Sequence, residues 1–170
     1  MKILGLPGIK PVTEQWMKQL LDSLELGQSE TTVQQYQCWS RPGSGLDMKL
    51  EADIAASTCP DLVVAKSIGT RVAIYAFAQG MLSVKTCVFL GIPLRGCSSE
   101  ESGTLQQLCA AVPILLIQQT ADPAGGYHDL VSLIPETQNC GKREVPGNDH
   151  MYGDIPRLKQ IIESWYKQYQ

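Results

Sequence analysis

Two hydrophobic patterns take turns along this chain. Short apolar runs lie within residues 2–6, 62–65, 86–92 and 113–118. Between them, apolar residues recur at three- and four-residue steps: Trp16, Met17, Leu20, Leu21 and Leu24; then Val72, Ala73, Tyr75, Ala76 and Phe77; then Leu158, Ile161, Ile162 and Trp165. The runs predict strands covered on both faces, and the stepped stretches predict helices with one apolar side.

Taken in order, the pattern predicts a strand over 2–6, a turn at Pro7-Gly8-Ile9, and a helix N-capped by Thr13 and ended by Gly27. The β-rich stretch 31–39 predicts a second strand. A loop over Arg41-Pro42-Gly43-Ser44-Gly45 and a helix over 47–57 follow. The strand at 62–65 breaks at Ser67, where a helix starts at once. A strand over 86–92, a polar loop over 93–103, a helix over 104–111 and a strand over 113–118 come next. The chain closes with a helix over 127–134, a weak strand over 141–145, a loop at 147–150 and a helix from Ile155 to about Tyr169. Strands separated by helices predict an α/β class: a three-layer α/β/α sandwich of about six mostly parallel strands, one domain over 1–170 with no lid domain. In such a sheet the site lies at the carboxyl ends of the strands. Pro7-Gly8-Ile9, Ser67, Asp122 and His150 all fall there.

The stretch Ala65-Lys66-Ser67-Ile68-Gly69 has small residues two before and two after a serine, between a strand and a helix. That is the nucleophile-elbow arrangement, with Ala65 in place of the usual first Gly. A sharp turn exposes the hydroxyl, and the following helix aims its first N–H groups and positive dipole end at a developing oxyanion. A serine N-capping a helix after a strand is the alternative reading of the same residues.

Composition narrows the function classes. The formal net charge of −3 argues against a nucleic-acid partner and supplies no basic patch for a membrane surface. No apolar run approaches the roughly 18 residues of a transmembrane helix, and the first residues lack the h-region and cleavage site of a signal peptide. The six cysteines show no CxxC or metal-ligand spacing, so they read as reduced thiols of a cytoplasmic protein. Two isolated histidines offer no metal-ligand set, so no metal and no cofactor are expected.

A base for Ser67 must be His128 or His150, the two histidines of the chain. His128 falls inside a predicted helix, whereas His150 lies in a Gly/Asn/Asp loop after the last strand. Ser67, Asp122 and His150 meet the chain order Ser…Asp…His expected behind such an elbow. Asp149 competes as the acid, but adjacent residues seldom place a carboxylate and a ring correctly; Asp154 serves equally as a helix cap. In these roles Ser67 attacks an acyl carbonyl, His150 moves the proton, Asp122 fixes the imidazole, and the N–H groups of Ile68 and Ile9 hold the oxyanion.

The stretches ILGLPGI (3–9), VVAKSIGTRVA (63–73), VFLGIPL (88–94), PILLIQQTADPAG (113–125) and GNDHMY (147–152) together resemble a small α/β-hydrolase. They are similar to the compact dienelactone-hydrolase-like and testis-expressed-30/KANSL3-type branch. The resemblance implies that these segments are the oxyanion loop, the elbow, the following strand, the acid strand and the histidine loop. It covers nearly the whole chain, starting at the family's third strand, and implies a Ser-His-Asp serine hydrolase of carboxylesterase type. The chain departs from the family pattern at Pro7 (often His), Ala65 (Gly) and Gln119 (often Gly).

The connection after residues 88–92 is about a dozen residues, which predicts an open site for a small ester or thioester. Lys66 and Arg95 fall near its rim, either favouring an anionic substrate or standing as solvated surface charge. A peptidase or C–C hydrolase would use the same triad. A hydrolase fold used for binding alone is the reading from another class. The oligomeric state is open.

Overall fold

In a computed structural model the chain is described over residues 1–41 and 43–168. The expected loop residue Pro42 and the expected helix end Tyr169 lie outside the described residues. The strands are β1 (Lys2–Leu6), β2 (Glu30–Val33), β3 (Leu62–Lys66), β4 (Thr86–Leu90), β5 (Ile114–Gln119) and β6 (Cys140–Val145). The helices are α1 (Val12–Ser23), α2 (Met48–Ser57), α3 (Ile68–Ala78), α4 (Ser99–Ala111), α5 (Tyr127–Leu133) and α6 (Ile155–Tyr166).

All six strands form one parallel sheet in the order β2-β1-β3-β4-β5-β6. Alternate side chains divide between two cores. Leu4, Leu6, Val63, Ala65, Cys87, Phe89 and Leu116 pack with α2, α3 and α4 on one face. Ile3, Leu62, Val64, Val88, Leu90, Leu115 and Ile117 pack with α1 and α6 on the other. Burial on both faces is why the central strands read as unbroken apolar runs.

Strand order reverses direction between β1 and β3: the chain leaves β1 outward to β2, and leaves β3 toward β4. The connections from these neighbours therefore part to opposite faces, opening a crevice at their carboxyl ends. Pro7-Gly8-Ile9 leaves one side of it and Ser67 the other.

Three boundaries differ from the pattern in the sequence. The strand expected over 31–39 is only Glu30–Val33, and a 3₁₀ turn, Gln37–Ser40, follows. Its partner β1 ends at Leu6, and Pro7 brings no N–H, so the ladder closes with the Gln34 N–H on Gly5 O. Thr13 is not the N-cap of α1; Pro11 stands there, and the Thr13 hydroxyl reaches back into the turn. Helix α4 begins at Ser99 rather than 104, because Ser98 and Glu101 form a capping box in which each side chain accepts the other's backbone N–H. The link between β4 and α4 is accordingly residues 91–98.

Candidate active site

Strand β3 carries the chain straight into Ser67, whose N–H still bonds Leu90 O of the neighbouring strand at 2.9 Å. Ser67 then takes φ 53°, ψ −122°, a conformation costing a non-glycine residue about 1–3 kcal/mol. Its side chain makes no capping bond to α3, so the helix-cap reading does not describe it. Gly69 shows why the turn demands a small residue: a Cβ there would lie 2.2 Å from Leu6 O. This contact sets the first turn of α3 directly against the end of β1.

The Ser67 hydroxyl lies 2.9 Å from His150 Nε2. His150 Nδ1 lies 2.9 and 2.8 Å from the two carboxylate oxygens of Asp122. An ionised carboxylate only accepts, so Nδ1 carries the proton and the Nε2 lone pair faces the hydroxyl. Asp122 is 1% exposed. Burial pushes its carboxyl up, but hydrogen bonds from His150, from the Ala124 N–H and from the Tyr152 hydroxyl outweigh burial and hold it below the usual value. His128 is exposed on α5. Asp149 bonds the Met151 N–H and Gln119 Nε2 rather than the imidazole, and Asp154 caps α6 through the Arg157 N–H.

The histidine loop is held from within the sheet. His150 and Tyr152 both sit at positive φ, 62° and 57°, and need support to stay there. Gln119 Oε1 accepts the backbone N–H of His150 at 2.9 Å and of Asp149 at 3.2 Å. The Tyr152 hydroxyl accepts the Gln119 N–H and donates to Asp122 Oδ2 at 2.8 Å; burial, and then the nearby carboxylates, raise its pKa and keep it a neutral donor. Gln118, buried beside it, ties Ile92 to Gly125 and so joins the ends of β4 and β5. Gly91 lets the loop come this close, since a Cβ there would lie 2.7 Å from the Tyr152 ring.

Lys66 does not stand at the rim. It is 4% exposed, because its place in β3 turns it beneath the histidine loop, away from Ser67. Its Nζ donates to His150 O at 3.0 Å and lies over the rings of Trp16 and Tyr152, 5.4 and 5.7 Å from their centres. Burial lowers its pKa, opposed by the charges of Asp122 and Asp149. Arg95 remains outside, its side chain 70% exposed, with Nη1 on Pro123 O and Asp129 at 4.0 Å.

On the other side of Ser67, the backbone N–H groups of Ile68 and Ile9 have no acceptor among the described residues. Ile68 is the first residue of α3, where a helix leaves its N–H unpaired. The positioning residues Tyr152, Gln119 and Lys66 escaped the sequence reading as such. The signal for one was present: two glutamines ending an apolar buried strand must find buried partners. Among the described residues, no three His, Cys, Asp or Glu side chains gather as a metal site, and no helix is long and apolar enough to cross a membrane.

This is the α/β-hydrolase fold, shared with solved structures across nearly the whole chain. The chain is similar to a predicted CIB-like hydrolase from Thermoplasma acidophilum, with 13% identity and a TM-score of 0.68 over 98% of this chain and 86% of that one. It is similar to the N-formylmaleamic acid deformylase of Pseudomonas putida, with 16% identity and a TM-score of 0.67 over 96% and 91%. It is also similar to the RedJ thioesterase of the prodiginine pathway in Streptomyces coelicolor, with 15% identity and a TM-score of 0.61 over 96% and 85%. No protein-family model and no curated protein matches the sequence.

Proposed function

We propose that this protein is a serine hydrolase that cleaves a small ester or thioester through an acyl-enzyme. The observation that carries this reading is the unbroken chain from a strained, half-buried Ser67 through His150 to a buried Asp122. Ser67 Oγ attacks the acyl carbonyl while His150 Nε2 takes its proton. The oxyanion rests on the N–H groups of Ile68 and Ile9, each worth about 3 kcal/mol of barrier. His150 returns the proton to the leaving oxygen or sulfur, and a water activated by the same nitrogen releases the acid. Asp122 holds the tautomer and balances the imidazolium. Thioesterases among the similar structures support an acyl substrate. The unpaired thiols of all six cysteines support a reducing, cytoplasmic setting.

The test is labelling by a fluorophosphonate probe. Wild type is expected to label, with Ser67→Ala and His150→Ala both silent. A folded wild type that does not label overturns the reading and leaves the fold to a binding role.

A further inference from the structure

The turn opposite Ser67 is held in an unusual way. Three successive carbonyls, of Pro7, Gly8 and Ile9, each meet a side-chain donor. The Tyr36 hydroxyl donates to Pro7 O at 2.7 Å, inside the core. Trp39 Nε1 donates to Ile9 O at 2.7 Å. The Thr13 hydroxyl lies 2.9 Å from Gly8 O and 2.5 Å from Lys10 O. Lys10 O already accepts the Thr13 N–H, whereas Gly8 O has no other donor among the described residues.

In a trans peptide the carbonyl and the N–H of one plane point in opposite directions. Fixing the Pro7 and Ile9 carbonyls fixes the planes on either side of the Gly8–Ile9 peptide. The Thr13 hydroxyl, shared between the Gly8 and Lys10 carbonyls, then holds the Gly8 carbonyl toward α1, which turns the Ile9 N–H the other way. Nothing in the described protein accepts that N–H, and Gly69 presses the first turn of α3 against the end of β1 beside it.

The donors are themselves held. Tyr36 and Trp39 meet edge to face, ring centres 5.1 Å apart. The buried Glu51 of α2 accepts the Gln37 N–H and Gln34 Nε2, both at 2.7 Å, securing the turn that carries them. This is the use made of the aromatic residues that the sequence pattern assigns to a strand.

We propose that Tyr36, Trp39 and Thr13 are positioning residues of the oxyanion site, gripping the turn by its carbonyls so that the Ile9 N–H is aimed before substrate arrives. The inference rests on the serine-hydrolase reading. A preset donor needs no reorganisation as charge develops, which is where such a site gains its rate.

The test is the second-order rate of fluorophosphonate labelling against pH in wild type, Trp39→Phe, Tyr36→Phe, Thr13→Val and Thr13→Ser. Phosphonylation puts negative charge on the oxygen that the site receives. Removing a whole oxyanion donor costs about 10²–10³-fold, so losing one anchor should cost about tenfold. The expected result is a lower plateau rate with an unmoved pH midpoint in the Phe and Val variants, and near-wild-type rates in Thr13→Ser. The final labelled fraction counts folded protein separately. Wild-type rates in the Phe and Val variants overturn the proposal. So does a loss carried wholly by the labelled fraction, or by a shifted midpoint that places the effect on the histidine. An unlabelled wild type overturns the serine-hydrolase reading itself, and the anchors with it.

Discussion

The two sides of Ser67 are built from different materials. The histidine side hangs from the middle of the sheet, where Lys66, Gln118 and Gln119 at the ends of β3 and β5 are all buried. Strands flanked on both edges are rigid platforms, so the Lys66 and Gln119 side chains reach the loop backbone through bonds near 3 Å. The oxyanion side lies beside the short edge strand β2. The turn continues β1 past its end, and its grip comes from outside the sheet, through two aromatic donors and a threonine. A buried polar network is unforgiving, because each lost partner strands another group. A turn whose grip is shared between the buried Tyr36 and the half-buried Trp39 and Thr13 gives way by degrees.

The largest difference should therefore follow a change at the deepest atom of the histidine side. Asp122→Asn keeps the shape but replaces an acceptor of the Nδ1 proton with an amide, favouring the wrong tautomer. The labelling rate should fall about 10³–10⁴-fold, far more than for any single oxyanion anchor. The same substitution has a stability signature. With its folded pKa lowered, Asp122 contributes stability above the unfolded carboxylate value, and this is lost as pH falls through the folded one. The advantage of wild type over Asp122→Asn in urea melts should shrink below about pH 4. A constant difference between pH 7 and 3 would mean that the carboxylate is not stabilised by these bonds.

The same contrast explains what the sequence made legible. Ser67, Asp122 and His150 identify themselves by residue type, chain order and position after strands, and the structure brings the three together. The alternation of runs and steps carried the central sheet and its helices, since burial on two faces writes itself into β1, β3, β4 and β5. The anchors are silent by comparison. A glutamine that accepts two loop N–H groups looks like any glutamine, and Tyr36 and Trp39 look like strand residues because aromatic rings favour strands. Lys66 misleads most. Lysine is so rarely buried that the rim is the natural expectation, and only the Trp16 and Tyr152 rings with the His150 carbonyl make its place tolerable.

Lys66 offers a test of intermediate size. Lys66→Met keeps length and packing but leaves His150 O without its donor, loosening the loop behind the imidazole. A labelling rate lower by about tenfold is expected, since small misplacements of a reacting group cost one to two orders of magnitude. For stability the sign is opposite to that of Asp122. The folded state binds the Lys66 proton more weakly than the unfolded one, so wild-type stability rises with pH between the lowered value and the ordinary 10.5. Wild type minus Lys66→Met should therefore climb across the alkaline range in chemical denaturation. A flat difference would mean that the ring and carbonyl contacts fully compensate burial of the charge.

The smallest effect is expected at Arg95, and it separates substrate recognition from surface charge. Its guanidinium bonds a backbone carbonyl, stands 4.0 Å from Asp129 and is mostly in water. Exposed pairs of this kind contribute about 0–1 kcal/mol and are screened by salt. Arg95→Gln should change the ratio of hydrolysis rates for an acidic and a neutral ester of equal chain length by less than about twofold, and that difference should vanish at high salt. A tenfold loss of preference for the acidic ester, persisting in salt, would instead make Arg95 a recognition group closing over a bound anion. Selectivity would then be carried by the connection after β4, a third wall of the site distinct from the two sides that hold its chemistry.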